Sequence, residues 1–115
     1  MSVIFTETPL SSREQTTRML HDLRVPVHRI GYRELAIGIP HYREENLQSL
    51  SKELYPWLAR QFGNITPEAV EHAIREAIRQ GWEHRAPEIW ETYFPGAVKP
   101  PSNKQFIATL AERIR

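Results

Sequence analysis

The stretch 64–82, NITPEAVEHAIREAIRQGW, has the pattern of an amphipathic helix with a well-marked start. Thr66, Pro67 and Glu68 supply an N-cap, a proline at the first helical position and a negative charge in the first turn. The helix is therefore predicted to run from Pro67 to about Trp82. Its buried side is predicted to consist of apolar residues at helical spacing, namely Val70, Ala73, Ile74, Ala77, Ile78 and Trp82. The opposite side carries charges of alternating sign, which suit a solvated face, a partner surface or a set of base-reading side chains.

A second amphipathic helix is predicted just before this one, over about 46–62. Its apolar residues recur at spacings of three and four: Leu47, Leu50, Leu54, Leu58 and Phe62. Pro56 lies inside this stretch and predicts a kink or a boundary near Tyr55. Gly63 is predicted to lie at a tight turn, where a side chain would restrict the backbone or clash. The region 54–82 is thus predicted to be a helix-turn-helix, whose second helix enters the major groove of DNA.

Four further helices are predicted from caps, apolar spacing and prolines. They run from Ser11 or Ser12 to a stop at Pro26, from Gly31 to Ile39 before Pro40, from Ala86 to Phe94, and from Ser102 or Asn103 towards the C-terminus. No segment shows the alternation that is typical of a β-strand. The prediction is therefore an all-α compact bundle of about six helices, similar to winged-helix domains but without strands. It has an N-terminal arm over 1–11 and one helical domain over 12–115.

The composition favours one soluble globular domain and excludes several classes of site. The 115 residues are 40% hydrophobic and 25% charged, which is ordinary for a globular domain. Cysteine is absent, so disulfides, thiolate metal sites and a cysteine nucleophile are excluded. The sequence has neither a secretory leader nor an apolar run near the roughly 20 residues that span a membrane, so the cytoplasm is the expected compartment. A formal net charge of +1 neither requires nor excludes a nucleic-acid partner.

The sequence has no motif of catalysis or of cofactor binding. A phosphate-binding loop, a dinucleotide-binding glycine pattern and an HExxH zinc motif are all missing, so neither a cofactor nor an enzymatic activity is predicted. His72 and Glu76 stand four residues apart and could share a metal ion, but two ligands without a third are a weak signal. Such a pair more often forms a hydrogen bond on a helix surface, and no metal site is predicted.

The exposed side of the helix 67–82 carries residue types that recognise base edges. Arg75 can donate two hydrogen bonds to guanine, Glu71 can accept from cytosine, and His72 can contact a base edge or a phosphate. The alternative is a solvated face on which residues four apart form ion pairs, as Glu71 and Arg75 would. The pattern alone leaves both interpretations open.

Four separated motifs, taken together, resemble one known family. They are VPxHxxGY at Val25–Tyr32, LYPxxAxxF at Leu54–Phe62, VExAIRxAI at Val70–Ile78 and P[ST]NxxFIA at Pro101–Ala108. In this order they resemble the C-terminal DNA-binding effector domain of the master sporulation response regulator of endospore-forming bacteria. The resemblance implies a six-helix fold with a helix-turn-helix. It also implies that the domain binds short repeated DNA boxes as a head-to-tail pair and regulates transcription at the onset of sporulation.

The resemblance also assigns roles to individual residues. Glu71 and Arg75 match base-reading positions of the family, and Ser102 and Asn103 fall in a loop suited to contacting the DNA backbone. The residues predicted to read bases are Glu71, His72, Arg75, Glu76 and Arg79. The residues predicted to contact the DNA backbone are Arg60, Thr66, Lys99, Ser102, Asn103 and Lys104.

Two departures from the family pattern bear on function. Well-known members have Arg at the position of His72 and His at the position of Glu76. Binding is therefore expected to be weaker or the preferred box altered, at about 1–3 kcal/mol per poorly matched base pair. The family's receiver domain, which controls the effector domain, is not found in these 115 residues. The sequence is thus expected to be either a stand-alone paralogue or a fragment.

Two hypotheses compete for the function. The first is a sequence-specific, DNA-binding transcription regulator that is monomeric in solution and pairs on tandem sites. The second is a protein-interaction module that has kept the fold and lost DNA binding, which the near-neutral charge, His72 and Glu76 favour. The partner of such a module would be a full-length regulator or RNA polymerase, through its sigma subunit.

Overall fold

The computed structural model describes residues 9–115 of the chain. Within that part it contains six α-helices, one short π-helical turn and no strands, which confirms the all-α prediction. The elements are α1 (Ser12–Asp22), α2 (Ile30–Glu44), the π-helical turn (Leu50–Leu54), α3 (Tyr55–Phe62), α4 (Pro67–Glu83), α5 (Pro87–Tyr93) and α6 (Asn103–Glu112). Most of the arm predicted over 1–11 lies outside the described residues. None of the helices within 9–115 is long and apolar enough to cross a membrane.

Side-chain caps start three of the helices where the sequence predicts them. The Ser11 hydroxyl accepts from the backbone of Glu14 at 3.0 Å while the Glu14 carboxylate accepts from Ser11 N, and this capping box begins α1. Ser102 caps α6 and Thr66 caps α4, each by accepting from the backbone N–H three residues later. At the two starts where the sequence offered alternatives, the earlier residue is therefore the cap.

The helix α2 packs against α1, α4 and α6. At Gly31 its contact with α4 leaves no room for a side chain. A Cβ there would lie 2.3 Å from the Ala73 carbonyl oxygen and 2.7 Å from the Ala77 Cβ. Glycine on one helix and alanines on the other thus let the two backbones approach closely, and they set the distance between α2 and α4.

Pro40 does not end α2, so the prediction that this helix stops at Ile39 is wrong. The helix continues through the proline to Glu44, and Pro40 is buried together with Leu35 and Ala36. A proline inside a helix removes one backbone hydrogen bond and costs about 3 kcal/mol. The packing of α2 against three other helices offsets this cost. Tertiary contacts, which a local pattern does not show, therefore decide the length of α2.

The prediction of a single helix over 46–62 is wrong about where the helix starts, but its expected boundary near Tyr55 is confirmed. The segment before Leu50 is not helical, and Asn46 has a positive φ of 50°. A π-helical turn follows, and α3 begins at Tyr55 with Pro56 in its first turn. Pro56 has no N–H, and its ring crowds the carbonyl group four residues before it. The wider turn that precedes α3 relieves this crowding.

The turn between α3 and α4 depends on backbone conformation. Gly63 has a φ of 66°, which favours glycine, and Asn64 follows with a φ of 50°. A Cβ at Gly63 would have no atom within 4 Å, so the expected clash does not occur and the backbone restriction alone explains the glycine. On α4, Ala73 and Trp82 are half-buried, whereas the other residues predicted for its buried side are buried.

One acidic side chain is enclosed in the core. Glu34 of α2 is 1% exposed, and neither of its carboxylate oxygens has a hydrogen-bond partner within 9–115. Burial raises the pKa of Glu34 from its ordinary value of 4.5 to about 7, because a carboxylate is poorly solvated there. Below that pH the carboxyl group is mainly neutral, and its burial costs less.

Replacing Gly31 by alanine is expected to destabilise the protein by about 2 kcal/mol or more, because α2 and α4 must move apart. The matched control is Gly38→Ala on the same helix, where a Cβ would lie 3.1 Å from the flexible Cδ1 of Leu58. That control is expected to stay within about 1 kcal/mol of the original protein. Chemical denaturation measures both free energies of unfolding, and equal values for the two variants would contradict the role of Gly31.

Replacing Glu34 by glutamine is expected to remove a pH dependence of stability. The folded pKa of about 7 lies above the unfolded value of 4.5, so the favourable contribution of this group is present at low pH and is lost as the pH rises through 7. The loss amounts to about 3 kcal/mol between pH 4.5 and pH 8. Urea denaturation of both proteins at these pH values measures this loss. Relative to the original protein, the free energy of unfolding of the variant should be higher at pH 8 than at pH 4.5. A difference that stays constant with pH would contradict a raised pKa.

Candidate nucleic-acid interface

The exposed side of α4, from Glu68 to Glu83, is called here the outer face. It carries all five residues predicted to read bases, which are Glu71, His72, Arg75, Glu76 and Arg79. The opposite side of the helix is fixed in the core through Val70 and Ile74, which are fully buried. The Arg75 side chain is 59% exposed and the Arg79 side chain 45% exposed. Both arginines can therefore be reached by a large partner.

Arg75 is paired along its own helix. Its guanidinium forms an ion pair with Glu71, one turn earlier, and its Nη2 lies 3.3 Å from His72 Nδ1. Ion pairs on an exposed helix surface are individually weak. Arg75 can therefore leave Glu71 for a partner with better geometry. The ion pair between Glu71 and Arg75, which the sequence predicted as the alternative to base reading, is present. It does not exclude base reading by Arg75.

Arg79 is held by two carboxylates. Its Nε donates to Glu76 Oε2 at 3.1 Å, its Nη2 pairs with Glu76 Oε1, and its Nη1 pairs with Glu83 Oε1. The hydrogen bond from Arg79 lowers the pKa of the Glu76 carboxyl group, and the same contact raises the pKa of Arg79. Sequence reasoning missed Glu83, although it stands four residues after Arg79, a spacing at which ion pairs form.

A groove of about 730 Å³ runs beside the outer face. One wall is α4, and the other is the segment 100–104 together with Leu50, Ser51 and Tyr55. Among the residues predicted to contact DNA, those that line the groove are Glu71, Arg75, Arg79, Ser102, Asn103 and Lys104. Those that lie outside it are His72, Glu76, Arg60, Thr66 and Lys99.

Asn103 joins the two walls of the groove. Its Nδ2 donates to Tyr55 Oη and to Glu71 O, each at 3.0 Å, and so links the start of α6 to α3 and α4. A side-chain amide nitrogen has two hydrogens, and both are used here. Burial raises the pKa of the Tyr55 hydroxyl, which stays protonated near neutral pH. Asn103 thus positions the outer face together with Tyr55, which the sequence analysis placed at a helix boundary and in a family motif but not among the site residues.

The other residues predicted to contact the DNA backbone have different surroundings. The hydroxyls of Thr66 and Ser102 accept backbone hydrogen bonds as helix caps, and each keeps its own hydrogen to donate. The Lys104 ammonium group donates to a backbone carbonyl oxygen and lies over an aromatic ring, both within the segment 42–48. The remaining two, Arg60 and Lys99, are exposed.

Comparison with known protein families identifies the family of this chain. The family described as Sporulation initiation factor Spo0A C terminal matches residues 16–114, which is nearly the whole chain. This chain belongs to that family. The Spo0A C-terminal domain is the DNA-binding effector domain of the sporulation regulator, and the family is non-enzymatic. The match confirms the resemblance that the four sequence motifs indicated.

The matched part of the Spo0A C-terminal family includes the elements described above. It begins within α1 and ends after α6, so α3, the turn at Gly63, α4 and the groove all lie inside it. Effector domains of this family regulate transcription in sporulation by binding DNA. The outer face of α4 is therefore part of a DNA-binding domain.

Replacing Asn103 by alanine is expected to lower the free energy of unfolding by about 1–3 kcal/mol, because Tyr55 Oη and the Glu71 carbonyl both lose a donor. The matched control is Gln105→Ala, which truncates an exposed side chain on the same helix. Chemical denaturation compares the two variants. If Asn103→Ala were as stable as the control, Asn103 would not position the outer face.

Proposed function

We propose that this chain binds double-stranded DNA sequence-specifically and regulates transcription, with α4 in the major groove. The observation that supports this most is the outer face, where Arg75 stands exposed beside Glu71 on a helix whose other side is fixed in the core. The major groove of DNA is about 12 Å wide and admits an α-helix. Arg75 would be the principal base reader, and Glu71 and His72 would refine the choice of base.

The ion pair between Arg75 and Glu71 is compatible with this role. Guanine offers two acceptors to an arginine, and cytosine offers an amino group to a carboxylate. When α4 enters the major groove of DNA, Arg75 and Glu71 can each give up the other as a partner and bind the base edges of a G·C-containing step. Neither charge is then left without a partner, which keeps the cost of desolvation low.

Contacts with phosphates would come from both sides of α4. Arg60 lies near the end of α3 and Thr66 caps α4, whereas Lys99 and Ser102 precede α6 and Lys104 lies in its first turn. Contacts of this kind fix the orientation of a reading helix and carry no sequence information. Asn103 would support them by holding its own turn against α4.

We further propose that two copies bind short tandem boxes head to tail. The unit would be the helical domain 12–115, with the arm before it, and the compartment would be the cytoplasm, where a bacterial regulator meets DNA. One recognition helix contacts only a few base pairs, so a specific site needs a second copy or additional contacts. Repeated boxes would supply the second site.

A second function, a protein-interaction module, is favoured by one specific observation. The outer face has four carboxylates, Glu68, Glu71, Glu76 and Glu83, against the two guanidinium groups of Arg75 and Arg79. An excess of negative charge repels DNA phosphates and suits a basic protein surface, on a full-length regulator or on the sigma subunit of RNA polymerase. Selection from a pool of random duplexes at modest salt separates the two functions, because such a module would enrich no motif.

Replacing Arg75 by alanine is expected to weaken binding to the selected duplex by about 1–3 kcal/mol, because a bidentate contact with guanine is lost. Binding to an unrelated duplex should change much less. Fluorescence anisotropy with the two labelled duplexes measures both dissociation constants. An equal loss on both duplexes would contradict base reading by Arg75.

Lys99→Ala is the matched control, because it removes a positive charge at a position proposed to contact phosphate. It is expected to weaken binding to both duplexes alike and to reduce the slope of log K against log salt concentration by about 0.9. A loss confined to the selected duplex would show that Lys99 reads bases instead.

A further inference from the structure

The two arginines of the outer face have different partners. Arg75 shares its guanidinium with one carboxylate and a histidine, whereas all three nitrogens of the Arg79 guanidinium face carboxylates. Glu76 stands three residues before Arg79 and Glu83 four residues after it. Both acids lie on the same exposed strip of α4. The local group of three therefore has a net negative charge although it contains an arginine.

The geometry of the contact with Glu76 is the geometry that a phosphate would need. The Nε and Nη2 atoms of Arg79 meet the two carboxylate oxygens of Glu76 as a parallel pair. This edge of a guanidinium is also the one that binds phosphate with two hydrogen bonds. Glu83 occupies the remaining nitrogen, Nη1. A phosphate must therefore displace Glu76 before it can bind this edge of Arg79.

We propose that Glu76 and Glu83 limit the affinity for DNA by holding Arg79 away from the phosphate backbone. The inference rests on the proposed function, because it concerns the same face of α4. The two acids act as positioning residues that act on DNA through Arg79, a role different from the base reading predicted for Glu76 from the sequence. Among residues 9–115, Arg75 has one carboxylate partner, Glu71, and it stays available for a base edge.

This arrangement affects all DNA sequences alike, because phosphate contacts carry no base information. One added phosphate contact steepens the dependence of log K on log salt concentration by about 0.9. Compared with 1 M salt, that contact raises the affinity roughly eightfold at 0.1 M salt. Holding Arg79 back therefore lowers non-specific binding by the same factor, and the difference between the selected and unrelated duplexes stays unchanged.

The test uses the full chain and three variants: Glu76→Gln/Glu83→Gln, the same pair with Arg79→Ala added, and Arg79→Ala alone. Glutamine keeps the size of each side chain and removes its charge. Dissociation constants for the selected and the unrelated duplex are measured by fluorescence anisotropy at several salt concentrations. We expect the double variant to bind both duplexes roughly eightfold tighter at 0.1 M salt. The slope of log K against log salt concentration should be steeper by about 0.9. The triple variant should lose this gain and bind both duplexes as Arg79→Ala alone does.

The matched control is Glu112→Gln, which removes one negative charge near the other end of α6, roughly 13 Å along the helix from Asn103. It is expected to leave the affinity unchanged. A gain in the double variant that survives Arg79→Ala would overturn the proposal, because the acids would then act by repelling phosphates directly. Specific binding by the original protein without any gain in the double variant would also overturn it, and the proposed function would stand. If neither the original nor any variant binds duplex DNA, both are wrong.

Discussion

The contact between Gly31 of α2 and the backbone of α4 at Ala73 is the constraint on which the arrangement depends. Because the two helices meet without an intervening side chain, the small residues of α4 must face α2 and its charged residues must face outwards. Asn103 provides a second fixed point from α6, through its hydrogen bond to the backbone of Glu71. With the helix held on two sides, its rotation is fixed, and so is the set of side chains that it presents.

Charge, more than shape, then decides what the outer face can bind. A carboxylate on a recognition helix has two opposing effects, because it can accept from cytosine but also repels phosphates. The ion pairs along α4 reconcile these effects in different ways. Glu71 and Arg75 can exchange each other for base edges, whereas Arg79 lies between two acids and is withheld. In the proposed function, discrimination between sequences and overall affinity would therefore be assigned to different arginines of one helix.

Most of the fold could be predicted from the sequence, because caps and apolar spacing are local signals. The error at Pro40 came from tertiary contacts, because α2 continues through this proline where three helices pack on it. Gly31 was recognised as part of the VPxHxxGY motif, but its close contact with α4 was not predicted. The outer face could also be predicted, since helical periodicity fixes which residues point outwards. The link from Asn103 to Tyr55 could not, because it joins residues 48 apart in sequence. Glu83 was missed because the predicted helix ended one residue too early.

The central claim is that the outer face of α4 is the surface that meets DNA. The most direct measurement is titration of the ¹⁵N-labelled protein with its selected duplex, followed by NMR chemical shifts of the backbone amides. The largest shifts are expected at residues 66–79 and 99–104, two ranges that include residues from both walls of the groove. Shifts concentrated on α1 or α5, with residues 66–79 unchanged, would contradict the claim.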